Sequence, residues 1–237
     1  MTTEIPIFRL KREARLIARS RSIPLHRALD ELAAAKGFQS WSHLAAASSN
    51  PSKAALALAK LNEGDLVLLG ARPHQGKTLL GLDIAATAAR RGRKAFFFTL
   101  EYTAADIAEK FRALGIDRSA ISETFFIDLD DTICADHVID RVGLADRGTV
   151  VVIDYLQLLD QRRENLSLDR QIQTLSAFAK QRGIIIIVLS QIDRHFEASR
   201  RVMPDLADVR MPNSLDLGLF TKTCFLHQGQ MRLSDLR

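Results

Sequence analysis

A chain of 237 residues, 47% hydrophobic and 26% charged, has globular composition and the length for one full α/β domain plus a small appendage. No apolar run approaches the roughly 20 residues that cross a bilayer, and MTTEIPIFRLKREAR offers no apolar stretch followed by a small-residue cleavage site, so a cytoplasmic chain with no membrane partner is expected. The formal charge of +5 favours polyanion partners if it is clustered.

It is clustered at the start. Arg9, Lys11, Arg12, Arg15, Arg19, Arg21 and Arg27 are opposed over that stretch by Glu13 alone. Leu10, Ala14, Ile17 and Ala18, then Leu25, Ala28, Leu29, Leu32 and Ala33, recur at helical spacing on either side of "SIP". Ser22 and Pro24 signal the start of a second helix, Gly37 its stop, and Ser40 caps a third, with Phe38 and Trp41 fastening the small core. Residues 1–48 therefore read as a basic helical module, which contacts DNA or RNA or presents a solvated amphipathic face. Residues 49–63 read as a linker ("SSNPS") and lead-in helix, and residues 64–237 as the main domain.

From residue 64 onward, short apolar runs alternate with helical patterns. "DLVLLG", "KAFFFTLE", "TFFIDL", "TVVVIDYLQLL" and "GIIIIVLSQ" read as strands, with helices over 77–91, 104–114, 135–145 and 168–181 between them. Runs without polar alternation are strands covered on both faces, and their alternation with helices makes the sheet mostly parallel and twisted, flanked by helices. The tail reads as a hairpin turning at Gln228 and Gly229. Cys134 and Cys224 lie far apart without metal-ligand spacing and read as reduced core thiols.

The first strand runs into Gly70-Ala71-Arg72-Pro73-His74-Gln75-Gly76-Lys77-Thr78-Leu79. The general phosphate-loop pattern GxxxxGK[ST] needs glycine where Ala71 stands. The chemistry survives the mismatch: backbone N–H groups at a helix start cradle phosphate, Lys77 reaches the outer phosphates, and the Thr78 hydroxyl ligates magnesium. Ala71 must only avoid positive φ, with Gly70 taking the sharper conformation. Asp154, ending "VVVID", is placed to hold magnesium through water. Glu101, ending "AFFFTLE", is placed to deprotonate an attacking water, or else complements a helix dipole. Gln191 is placed to sense the γ-phosphate, or is a polar residue at a strand exit.

Together, "GDLVLLGARPHQGKT", "FFFTLE", "VVIDYLQLL", "NLSLDRQIQTLSAFAKQRG" and "VLSQIDR" resemble the RecA-like ATPase domain of the DnaB-type replicative helicases over roughly residues 64–210. That family also spells its phosphate loop Ala-Arg-Pro. The resemblance implies a RecA-like P-loop core that uses ATP and Mg2+. It assigns phosphate and magnesium to Lys77 and Thr78, the catalytic base to Glu101, the second-motif aspartate to Asp154, and the sensor to Gln191. It further implies single-stranded DNA as partner and self-association, as in a hexameric ring. The loops carrying Arg162, Arg163, Arg194, Arg200 and Arg201 would supply DNA phosphate contacts, or else are solvated or subunit-facing. The family's Lys-x-Arg pair, which reaches the neighbouring subunit's γ-phosphate, is not found up to Arg237; Lys222, Arg232 and Arg237 stand as substitutes at other spacing. Two functions are expected: an ATPase motor or remodelling factor on single-stranded DNA, or a slow ATP-gated switch or assembly protein.

Overall fold

The computed structural model describes residues 7–49, 51–160, 166–211, 213 and 215–236. The chain divides into two units, Met1–Ser52 with Ala113–Gly115, and Lys53–Arg112 with Ile116–Arg237.

In the first unit, α1 (Ile7–Ser20), α2 (Leu25–Ala35) and α3 (Trp41–Ser49) follow one another. Their apolar stripes form two small clusters. Leu10, Ala33 and Leu44 pack with Phe38 and Trp41, and Ala14, Ala28 and Leu32 with Ile17, Ile23 and Leu29. Gly37, at φ 81, ends α2: its N–H reaches the Ala34 carbonyl and that of Phe38 the Ala33 carbonyl, closing the helix as a left-handed glycine allows. Ser40 Oγ accepts from the His43 N–H at 3.2 Å and so caps α3. Ser22 does not cap α2. Pro24 takes the cap position, where the missing N–H of proline costs nothing, while Ser22 sits in the preceding turn at φ 51. α3 also runs into the stretch read as linker.

The second unit opens with α4 (Lys53–Ala59) and is built on one seven-stranded sheet. In chain order its elements are β1 (Leu66–Ala71), α5 (Lys77–Arg90), β2 (Ala95–Thr99), α6 (Ala104–Ala113), β3 (Phe125–Asp128), α7 (Ala135–Val142), β4 (Val150–Asp154), α8 (Leu168–Arg182), β5 (Ile185–Gln191), α9 (His195–Ala198), β6 (Lys222–His227) and β7 (Gln230–Asp235). The spatial order is β3-β2-β4-β5-β1-β6-β7. All pairs are parallel except β6 with β7. β1 and β4 are buried throughout and β5 almost so, which is why their sequences lack polar alternation. At the hairpin turn Gln228 (φ 46) and Gly229 (φ 74) are both left-handed, the geometry that matches strand twist in a two-residue loop.

The run "TVVVIDYLQLL" is not one strand. β4 stops at Asp154, and Leu156–Asp160 turn into a 3-10 helix that buries Leu156 and Leu159 completely. A spacing of three serves that tight helix, whereas a strand would put those two leucines on opposite faces.

α5 lies close against the sheet: a Cβ on Gly81 would stand 3.1 Å from Val152 and 3.2 Å from Leu189. Because the strands are parallel, the carboxyl ends of β1, β2, β4 and β5 share one edge, where ligands bind in open α/β sheets. No helix among the described residues is long and apolar enough to cross a membrane.

Candidate nucleotide site

The loop between β1 and α5 takes its shape from two left-handed residues, His74 at φ 63 and Gly76 at φ 87. Gly70 is not one of them. It lies inside β1, and a Cβ there would meet the Phe225 ring at 2.8 Å and Ile192 at 3.0 Å, so glycine serves close packing rather than the turn. Ala71 ends β1 fully buried and without positive φ. The loop is tied down on both sides. Arg72 donates through Nη1 to the Ile192 carbonyl at 2.9 Å and through Nε to Glu197 at 2.8 Å. Gln75 Oε1 accepts from the Gln228 N–H at 2.7 Å.

Four side chains converge behind this loop. Lys77 Nζ donates to Asp154 Oδ1 at 3.0 Å and to Glu101 Oε2 at 3.3 Å, and Thr78 Oγ1 donates to Asp154 Oδ2 at 2.8 Å. Asp154 is completely buried, while the Glu101 side chain keeps 33% of its surface. Burial opposes the charge on Lys77, but the two neighbouring carboxylates outweigh it and hold its pKa above the usual 10.5. At Asp154, by contrast, burial dominates and pushes its carboxyl above the ordinary range, against the Lys77 ammonium and the Thr78 hydroxyl. Nor do those two donors fully offset the buried carboxylate. Its oxygens and the Thr78 hydroxyl make a hard donor set that fits magnesium.

Lys77, Thr78 and Glu101 border a cleft of about 470 Å³, lined among others by Pro73, His74, Gly76, Leu79 and Gln191, while Asp154 lies buried behind its wall. Gly70, Ala71, Arg72 and Gln75 are not part of its wall: the first two belong to the packing of β1, and the side chains of the other two form the tethers above. Tyr102 and Lys110 also line it. Sequence reasoning missed both: Tyr102 had only its place beside Glu101 as a signal, and Lys110 had none.

Gln191 reaches the cleft from the end of β5 and is held by the segment that follows. Its carbonyl accepts from the Arg210 N–H at 2.8 Å, and its Oε1 stands 3.4 Å from Arg210 Nη1. Among the basic loop residues, Arg194 and Arg200 are exposed. Arg201 is committed: it pairs with both Asp205 and Asp208 and lies over the Phe196 ring. Arg162 and Arg163 lie outside the described residues. Lys222 faces Asp65 and Asp235 at the far edge of the sheet, and Arg232 donates to the Pro204 carbonyl at 2.6 Å, so neither borders the cleft.

A phosphate loop on a central parallel strand, with carboxylates at or just beyond the ends of strands to one side, defines a RecA-like P-loop nucleoside triphosphatase fold. Residues 53–124 and 135–217 match the DnaB-like helicase C terminal domain, and the chain belongs to that family of P-loop ATPases. A probable plasmid replicative DNA helicase of Chlamydia muridarum is 30% identical over 181 residues, 63% of this chain and 40% of that protein. The replicative DNA helicase DnaB of Helicobacter pylori is 29% identical over 215 residues, 73% of this chain and 43% of that one. The matches thus span less than half the length of these relatives. Among solved structures, a DnaB-like replicative helicase, described with its interactions with primase, superposes with a TM-score of 0.58 at 18% identity, covering 73% of this chain and 54% of that one. A KaiC-like protein of Pyrococcus horikoshii gives 0.52 at 18% identity, covering 68% and 70%. At these identities the likeness is one of fold.

Proposed function

We propose that the chain is a magnesium-dependent ATPase whose nucleotide cycle is coupled to single-stranded DNA. The observation that carries this reading is the convergence of Lys77, Thr78 and Glu101 on one cleft at the carboxyl edge of the sheet, with the buried Asp154 bonded to Lys77 and Thr78 behind them. Backbone N–H groups from His74 to Thr78 and the Lys77 ammonium bind the β- and γ-phosphates. Thr78 directly, and Asp154 through water, would hold magnesium, which supplies charge neutralisation at the phosphate oxygens. Glu101, the more exposed carboxylate, takes the proton of the water that attacks the γ-phosphorus. Gln191 senses the γ-phosphate, and its main-chain bond to Arg210 passes that state to the segment carrying Arg194, Arg200 and Arg201.

ATP turnover with and without single-stranded DNA, for the native chain, Lys77→Ala and Glu101→Gln, tests this directly. DNA-stimulated turnover abolished by both substitutions is expected, with nucleotide binding lost in Lys77→Ala and retained in Glu101→Gln. A slow rate indifferent to DNA overturns the coupling.

One observation favours a second reading, a slow ATP-gated switch that controls self-association. Lys77 donates to the same Glu101 that would serve as base, so a γ-phosphate that takes up the lysine must part the two. Solution mass measured with and without a slowly hydrolysed ATP analogue decides between ring assembly on nucleotide and a monomer throughout.

A further inference from the structure

The reaction above leaves Tyr102 and Lys110 without a role, although both line its cleft. Lys110 Nζ stands 4.0 Å from the centroid of the Tyr102 ring. This placement has a local cause. α6 opens on a reciprocal cap in which the Asp106 N–H donates to Thr103 Oγ1 at 3.3 Å and Asp106 Oδ2 accepts from the Thr103 N–H at 2.8 Å. That cap fixes how the helix leaves Glu101 and Tyr102. Helical side chains lean toward the helix N-terminus, so a long side chain roughly 10 Å along the axis is carried back over residue 102. The aromatic face then steadies the ammonium at the cleft wall.

The charges around the cleft give this ammonium a purpose. Lys77 is met by two carboxylates, Asp154 and Glu101. Lys110 makes no ion pair within 4 Å among the described residues; Asp106, one turn earlier, feels its charge but is bonded to Thr103. Lys77 and Asp154 cancel each other, which leaves Glu101 as uncompensated negative charge where a triphosphate must enter. Lys110 restores the balance and keeps its donors for an incoming anion.

We propose that Lys110, positioned by Tyr102, is a second phosphate-binding cation of the cleft that contacts the terminal phosphate of a bound nucleoside triphosphate from the α6 side. The proposal rests on the nucleotide-site reading above and deepens it. It accounts for a cation that no part of the phosphate loop supplies, and it makes the site distinguish triphosphate from diphosphate.

Equilibrium binding of ADP and of a slowly hydrolysed ATP analogue is measured on the full chain and on Lys110→Ala, Lys110→Gln, Lys110→Arg, Tyr102→Leu and Lys77→Ala, with melting curves for each. Lys110→Ala and Lys110→Gln are expected to weaken the triphosphate about tenfold, as loss of a charge-assisted contact does, and to leave ADP unchanged. Lys110→Arg restores the affinity, Tyr102→Leu falls between, and Lys77→Ala weakens both nucleotides. Equal losses for both nucleotides in the Lys110 variants, or no loss, overturn the proposal alone. A native chain that binds neither nucleotide overturns it together with the nucleotide-site reading.

Discussion

Lys77 and Glu101 stand 3.3 Å apart, ammonium to carboxylate, although the proposed reaction needs the first on a phosphate and the second on a water. With Asp154 at 3.0 Å on the other side, the lysine is the shared partner of both carboxylates. Removing it therefore has a structural price as well as a functional one.

Lys77→Ala leaves Asp154 buried and without its ammonium, which destabilises the chain by about 3 kcal/mol, the cost of breaking a buried pair. Adding Asp154→Asn removes the orphaned charge and recovers most of the loss. Urea unfolding midpoints of the two variants measure this; a double variant no more stable than Lys77→Ala would refute the account.

Alkaline pH reads a second pair of contacts. Lys222 is held above its ordinary 10.5 first by its bond to Asp235, against burial, with Asp65 adding to it. Lys77 is raised in the same direction. A lysine whose folded pKa exceeds its unfolded one gives stability that is complete below pH 10.5 and is lost as pH rises through the folded value. The stability difference between the native chain and Lys222→Met should stay constant from pH 8 to about 10 and shrink beyond, so the native chain falls the more steeply there. Equal slopes in the two proteins would show that Lys222 does not contribute.

Gly70→Ala places a methyl group 2.8 Å from the Phe225 ring. Overpacking of this kind costs about 1–3 kcal/mol. Gly70→Ala with Phe225→Leu relieves the clash, so thermal melting should show the double variant above the single one, against the usual additivity of two core substitutions.

The arginines of the segment after β5 divide by what they already hold. Arg194→Ala and Arg200→Ala should weaken single-stranded DNA binding and each lower the salt slope by about one. Arg201→Ala removes the partner of Asp205 and Asp208, and should lower the melting temperature. Fluorescence anisotropy titrations across a salt series separate the two outcomes.

The fold was legible because buried parallel strands write themselves as unbroken apolar runs; Ile185–Gln191 and Val150–Asp154 carry that signature. The same signature misled past Asp154, since it does not report whether buried leucines are spaced by two or by three. Gly70 was misread for a related reason: a glycine beside a turn suggests backbone freedom, while its actual constraint comes from Phe225, more than 150 residues later in the chain. Lys110 was invisible because helix geometry, not a motif, brings it to Tyr102.

The bond between Gln75 and Gln228 joins residues 153 positions apart. At ribosomal rates of about 5–20 residues per second, roughly 8 to 30 s separate the synthesis of the two. During that interval the nascent phosphate loop has only its Arg72 side to lean on, and that side too awaits Ile192 and Glu197. The cradle whose sequence is recognised first is thus among the last parts of the nascent chain to be fastened.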